Sequence, residues 1–158
     1  MKKNIKNKGF MMVEVIVASS IILVSVLAAM SVAQRSIIVS RQASHTSQAA
    51  FLLEEGAESV RILRDNSWTN ISSLNSDTTY YPVFSSNTWT LSTSPSFVGI
   101  FTRSINIENV NRNASTQDIS DSGVNDPGTK LITVTVSWTE GGQTITKTLP
   151  FYIADIFS

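Results

Sequence analysis

Polar and apolar positions follow three different rhythms along the chain. From Phe10 to Ala33 almost every position is apolar or small, and the one charge is Glu14, fifth in the run. From there to about Asp65 the pattern becomes amphipathic. Ala49, Leu52, Leu53, Gly56, Val60 and Leu63 fall on one helical face, with Glu54, Glu55, Glu58 and Arg61 largely off it. From Ser67 onward the period drops to two, most cleanly at Ile132, Val134, Val136 and Trp138, which alternate with Thr133, Thr135 and Ser137. The pattern predicts an α+β fold. A long N-terminal helix, membrane-spanning in its first half and amphipathic in its second, packs on a C-terminal antiparallel β-sheet.

The helix is expected from Phe10 to about Asp65, ending at Asn66-Ser67, because no Gly or Pro occurs between Phe10 and Leu53. That is roughly 56 residues, or about 84 Å. Its apolar run of roughly 24 residues spans about 36 Å against a hydrocarbon core of about 30 Å. Ala18, Ser19, Ser25, Ala28, Ala29 and Ser31 would let other helices approach closely, although small residues are also simply tolerated in spanning helices. Glu58–Arg61 and Arg61–Asp65 have the spacing of helical ion pairs. Gly56 costs about 1 kcal/mol in helix propensity relative to Ala. Its expected use is close approach of helix to sheet, the alternative being a tolerated defect. Trp68 is expected at the lower edge of the core, and His45, between Ser44 and Thr46, in solvent.

In the β-rich part, Gly141-Gly142 supplies positive φ for a two-residue hairpin turn. The return strand, Thr144 to about Leu149, then sets Trp138 opposite Ile145 and Val134 opposite Leu149. Pro150 marks an edge or a break, after which Phe151 to Ile153 form a short terminal strand. Ile100 to Val110 reads as another strand, with Phe101, Ile105 and Ile107 on one side. Tyr80 to Phe84 and Trp89 to Leu91 are shorter pieces. The expected sheet has four or so strands. Asn111 to Lys130 is polar and reads as a surface loop. Its Asp118, Asp121, Asn125 and Asp126 do not have EF-hand spacing, so a solvated turn-rich loop is expected rather than a calcium site.

Charge and composition narrow the function. The formal net charge is zero, yet Lys2, Lys3, Lys6 and Lys8 precede every acid, which leaves the rest net acidic. An acidic body has no basic stripe for phosphates, so direct nucleic-acid binding is not expected. With no cysteine and one histidine, there is no material for a Cys-based site or a multi-His metal centre. No nucleophile–base pair or phosphate loop is visible. No enzyme activity, cofactor or metal is expected.

The segment Lys8-Gly9-Phe10-Met11-Met12-Val13-Glu14 carries the sharpest signal. A basic leader ends in Gly9, an aromatic follows, and an acid stands four residues further on. The run is too long for an ordinary signal peptide, and no clean Ala-x-Ala site follows it. These residues resemble the class III signal of type IV pilins and pseudopilins. The resemblance is direct over about the first 35 residues. The stretch from Phe51 to Trp68, with its acidic pair, Gly56 and Arg61-Ile62-Leu63-Arg64-Asp65, more loosely resembles a segment of pilin-like minor subunits. The stretch Asp126-Pro127-Gly128-Thr129-Lys130 leading into Leu131 to Trp138 resembles the sheet region of the same group.

The resemblance implies a division into a leader (1–9), a transmembrane and assembly helix (10–33), an amphipathic continuation (34–66) and a β-rich globular region (67–158). It implies cleavage between Gly9 and Phe10 by a prepilin peptidase, methylation of the new Phe10 amine, and pairing of Glu14 with that amine in a neighbouring subunit. The implied partners are the peptidase, other pilin subunits and an inner-membrane assembly platform. The lysines place the N-terminus inside and the body outside the membrane before assembly into a filament. Met11-Met12-Val13 replaces the family's common Thr-Leu-Ile. No Pro precedes Pro82, which favours a minor pilin or pseudopilin over a major pilin. The competing expectation is an anchored extracytoplasmic binding module that keeps its signal anchor.

Overall fold

The computed structural model describes residues 8–156, with side chains from Met11 onward. The chain divides into two compact units, residues 1–44 and 45–158. The fold is α+β. Helix α1 (Lys8–Asn66) is followed by a single turn, α2 (Thr69–Ser72), and then by strands only.

In the first unit every described side chain from Met11 to Ser44 is exposed. Four serines of its apolar run are satisfied within the helix. The hydroxyls of Ser19 and Ser20 donate to the Ile16 carbonyl at 2.9 and 2.7 Å, Ser25 to Ile21 at 2.8 Å, and Ser31 to Ala28 at 2.8 Å. Back-bonding of this kind removes the need for an outside partner. From Met11 to Ala33 the helix, Glu14 apart, therefore presents an apolar surface to whatever surrounds it.

The second unit is built around one packed interface. Ala49, Val60 and Leu63 of α1 are buried, as the helical periodicity predicts, and Ala57 is buried beside them, while Leu52 and Leu53 are only partly buried. The sheet runs in the order β3 (Phe97–Val98), β4 (Phe101–Arg112), β6 (Val124–Glu140), β7 (Gln143–Ala154), with β5 (Ile119–Ser120) also paired to β4. Ile105, Ile107, Ile132, Val134, Val136 and Trp138 supply its buried face. The β6–β7 hairpin has the expected register, Trp138 opposite Ile145 and Val134 opposite Leu149. Gly141 and Gly142 turn it at φ of 59° and 81°. At Gly56 helix and sheet approach closely: a Cβ there would stand 2.6 Å from Val134 Cγ1. The close approach anticipated for this glycine is present. Trp68 packs, partly buried, against the core.

Four expectations need correction. The five-stranded sheet does not include β1 (Tyr81–Ser85) and β2 (Thr88–Ser92), which form a separate hairpin. Ser86 and Asn87 turn it with φ of 51° and 60°. The hairpin is tied to β4 by Tyr80, which exchanges backbone hydrogen bonds with Ile105 at 2.9 and 2.7 Å.

The polar stretch Asn111 to Lys130 is only in part the expected loop: residues 113–118 and 121–123 are turn and loop, and the remainder belongs to strands. β4 continues to Arg112, and β6 begins at Val124. Asn109 pairs with Lys130 but Val110 pairs with Asp126, so Pro127, Gly128 and Thr129 form a bulge on β6. Those turn-forming residues are accommodated as the extra residues of the bulge. Backbone pairing to a distant strand needs no apolar side chains, so composition missed it.

Pro150 does lie on an edge strand, one of the two expected alternatives. What needs correction is the separate terminal strand after it, because β7 runs unbroken through Pro150, opposite Thr133, to Ala154. Because β7 is bonded to β6 alone, a residue without N–H is tolerated where its nitrogen points outward. Finally, Arg61 does pair with Glu58, but Asp65 pairs with Arg64 at 2.7 Å instead of with Arg61. Arg61 lies over the Phe151 ring, 5.3 Å from its centroid.

Candidate functional site

Three arrangements carry charge or chemistry. The first is the apolar half of α1, where Glu14 is the only acid from Met11 through Leu53. Glu14 is exposed, and with Val13, Val17, Ala18 and Ile21 it borders a shallow concavity. Ala18, one turn on from Glu14, is small enough to leave that space open. Gly9 and Phe10 belong to the backbone of α1. Their side chains lie outside the described residues, as do residues 1–7.

The second arrangement is inside the body. Arg103 sits on the inward face of β4 between Phe101 and Ile105 and is 4% exposed. Its Nη1 donates to Glu55 Oε2 of α1 at 2.6 Å, and its guanidinium lies 5.5 Å from the Trp89 ring centroid. Nearby, His45 Nδ1 is 3.3 Å from Glu140 Oε1, and the His45 ring meets Phe101 edge-on at 6.2 Å. Trp138 Nε1 donates to the other Glu140 oxygen at 3.3 Å. His45 is therefore not the solvated residue expected from its polar neighbours. Position 45 shares a helix face with Ala49 and Leu52, and that face turns it toward the end of the sheet. Arg103 falls on the same side of the strand as Phe101, Ile105 and Ile107, a position not singled out in the sequence; nothing local pointed to Glu55 or Glu140 as partners.

The third arrangement secures the bulge. Arg112 Nε donates to Asp126 Oδ2 at 2.6 Å, Nη1 to the Gln117 carbonyl at 2.9 Å and Nη2 to Thr129 Oγ1 at 3.2 Å. The Gly128 N–H donates to Asp126 Oδ1 at 2.9 Å. These bonds, the Arg112 side chain first and then Thr129, hold the Asp126 carboxyl below its ordinary value against the opposing effect of partial burial. A depressed carboxyl stabilises the fold above its unfolded pKa, and that contribution disappears as pH falls through the folded value. Asp126→Asn is accordingly expected to lower the melting temperature at pH 7 and to lessen the loss of stability seen below about pH 4. Melting curves of both chains across acid pH check this; parallel curves would refute it.

None of these arrangements places a nucleophile beside an activating base. Among the described residues no group of three His, Cys, Asp or Glu could hold a metal ion. No family model, curated protein or solved structure matches the chain. What fold and site define together is an α+β protein with one N-terminal helix long and apolar enough to cross a membrane.

Proposed function

We propose that this chain is a structural subunit, a minor pilin or pseudopilin, of a membrane-rooted filament of the type IV pilus or type II secretion kind. The observation that carries the reading is Glu14, a single carboxylate in an otherwise apolar, fully exposed helical surface. Such a charge costs on the order of 2.5–3.5 kcal/mol at a bilayer centre on insertion scales. Cleavage between Gly9 and Phe10 would create its counter-charge, an amine at the start of the helix. Two costly groups then neutralise each other, and when they pair across subunits standing side by side the pair acts as a device for register. Extraction from the membrane is feasible because lipid is exchanged for other apolar helices. In this reading the N-terminus is cytoplasmic, the body extracytoplasmic, and the partners are a prepilin peptidase, other pilin-like subunits and the inner-membrane assembly platform.

The test is a mass measurement. Co-expressed with a prepilin peptidase, the chain should shrink to residues 10–158 plus one methyl group. Gly9→Ala should keep the leader attached. Retention of residues 1–9 by the unaltered chain, or cleavage near Ala29, would sink the proposal and favour a binding module that keeps its signal anchor.

A further inference from the structure

The chain holds two Asn-x-Ser tripeptides, Asn70-Ile71-Ser72 and Asn113-Ala114-Ser115. That pattern is the acceptor sequence for N-linked glycans, and chance supplies it often in a chain rich in Asn and Ser. The pattern alone does not separate the two; their surroundings do. Asn70 lies in the single turn α2. Its Nδ2 donates to the Leu63 carbonyl at 3.0 Å and so satisfies a carbonyl near the end of α1. Ile71, the middle residue, is fully buried in the core. The nitrogen that would carry a sugar is already used, and the tripeptide cannot leave the fold without drawing Ile71 into water.

Asn113 lies in the connection between β4 and β5, and Asn113, Ala114 and Ser115 are all exposed. Asn113 Oδ1 accepts from the Ser115 N–H at 2.8 Å and the Thr116 N–H at 3.3 Å, so the side chain is held in a turn by its oxygen. Two backbone bonds close that turn, Asn113 N–H to the Asp118 carbonyl and Gln117 N–H to the Asn113 carbonyl, both at 2.9 Å. Neither Asn113 Nδ2 nor the Ser115 hydroxyl has a partner among the described residues. We propose that Asn113 is an N-glycosylation site and that Asn70 is not. The donor is a glycan carried on a polyprenyl diphosphate and transferred by an extracytoplasmic oligosaccharyltransferase. Asn113 Nδ2 attacks the anomeric carbon of the donor. A C–N bond forms, the C–O bond to the diphosphate breaks, a proton from the nitrogen passes to a base of the enzyme, and the lipid diphosphate leaves. Oδ1 is untouched and continues to hold the turn. The site rests on the extracytoplasmic placement of the body proposed above and does not require a filament.

For the test, the full-length chain is extended after Ser158 by a flexible tail with one Asn-Ala-Thr tripeptide. It is co-expressed with an oligosaccharyltransferase that accepts Asn-x-Ser, together with its lipid-linked donor. Mass spectrometry of the peptides reads occupancy at Asn70, Asn113 and the tail. Asn113 should carry the glycan. Occupancy at Asn70 should be lower by more than about tenfold, the effect of drawing one buried Ile side chain into water. Ser115→Ala should abolish the Asn113 product without changing the melting temperature. A glycosylated tail beside a bare Asn113, or equal occupancy at Asn70 and Asn113, would overturn the proposal and leave the placement of the body standing. A bare tail with a bare Asn113 would overturn both. Glycan on Asn113 in a chain that keeps residues 1–9 despite a prepilin peptidase supports the site and counts against the filament.

Discussion

Replacing Gly56 with alanine is expected to destabilise the body by up to about 2 kcal/mol, and replacing it with leucine to prevent its folding. Two effects oppose each other in the alanine variant. Helix propensity alone would favour Ala by about 1 kcal/mol. The added Cβ would stand 2.6 Å from Val134 Cγ1 and 3.2 Å from Arg103 Cδ. Arg103 is long and has room to bend, but Val134 is a buried β-branched residue in a central strand with one χ angle to adjust. Relief then requires the helix to lift off the sheet, which opens the core on both sides of Val134. Overpacking of this kind costs about 1–3 kcal/mol, so the clash outweighs the propensity gain. Trp68, Trp89 and Trp138 all lie in the body and report its unfolding in denaturant. A cycle with Val134→Ala isolates the cause. The double variant should be more stable than the sum of the single losses predicts, and strict additivity would show that the clash is not with Val134.

If the chain is the proposed filament subunit, Glu14→Ala is expected to leave leader removal largely intact and to reduce incorporation into filaments by more than about a hundredfold, because an uncompensated buried charge costs about 3–5 kcal/mol. The charge left behind would be the Phe10 amine of the neighbouring subunit. Glu14→Gln should be nearly as defective, since an amide accepts a hydrogen bond but does not neutralise an ammonium. Filament fractions quantified against the processed membrane pool separate the two steps. Normal incorporation of either variant would refute the pairing role given to Glu14.

Much of the body was legible because its strongest signals are local. The alternation from Ile132 to Trp138, two glycines and a second alternating run specify a hairpin register without reference to the rest of the chain. The helix face from Ala49 to Leu63 was legible for the same reason, since a period of three to four residues survives whatever it packs against. Gly56 was readable as an exception to that period. Where reading failed, the deciding partner was remote. Asn111 to Lys130 looked like a loop because it is polar and contains Pro127-Gly128, yet its strands are held by a ladder to β4 and by Arg112, which no neighbour in sequence announces. His45 looked solvated because Ser44 and Thr46 flank it, yet its partners are Phe101 and Glu140.

By itself, then, the sequence determined the α+β division, the apolar N-terminal helix with its one carboxylate, and the faces that helix and sheet turn toward each other. These depend on periodicity and composition, which are properties of neighbouring residues. Only the tertiary structure decided that Arg103 is buried against Glu55 and Trp89, and that a bulge at Pro127–Thr129 lets a polar segment join the sheet. Each of these brings together residues far apart in the chain. Their energies come from burial and pairing across the fold, and no local pattern encodes which distant group will be there.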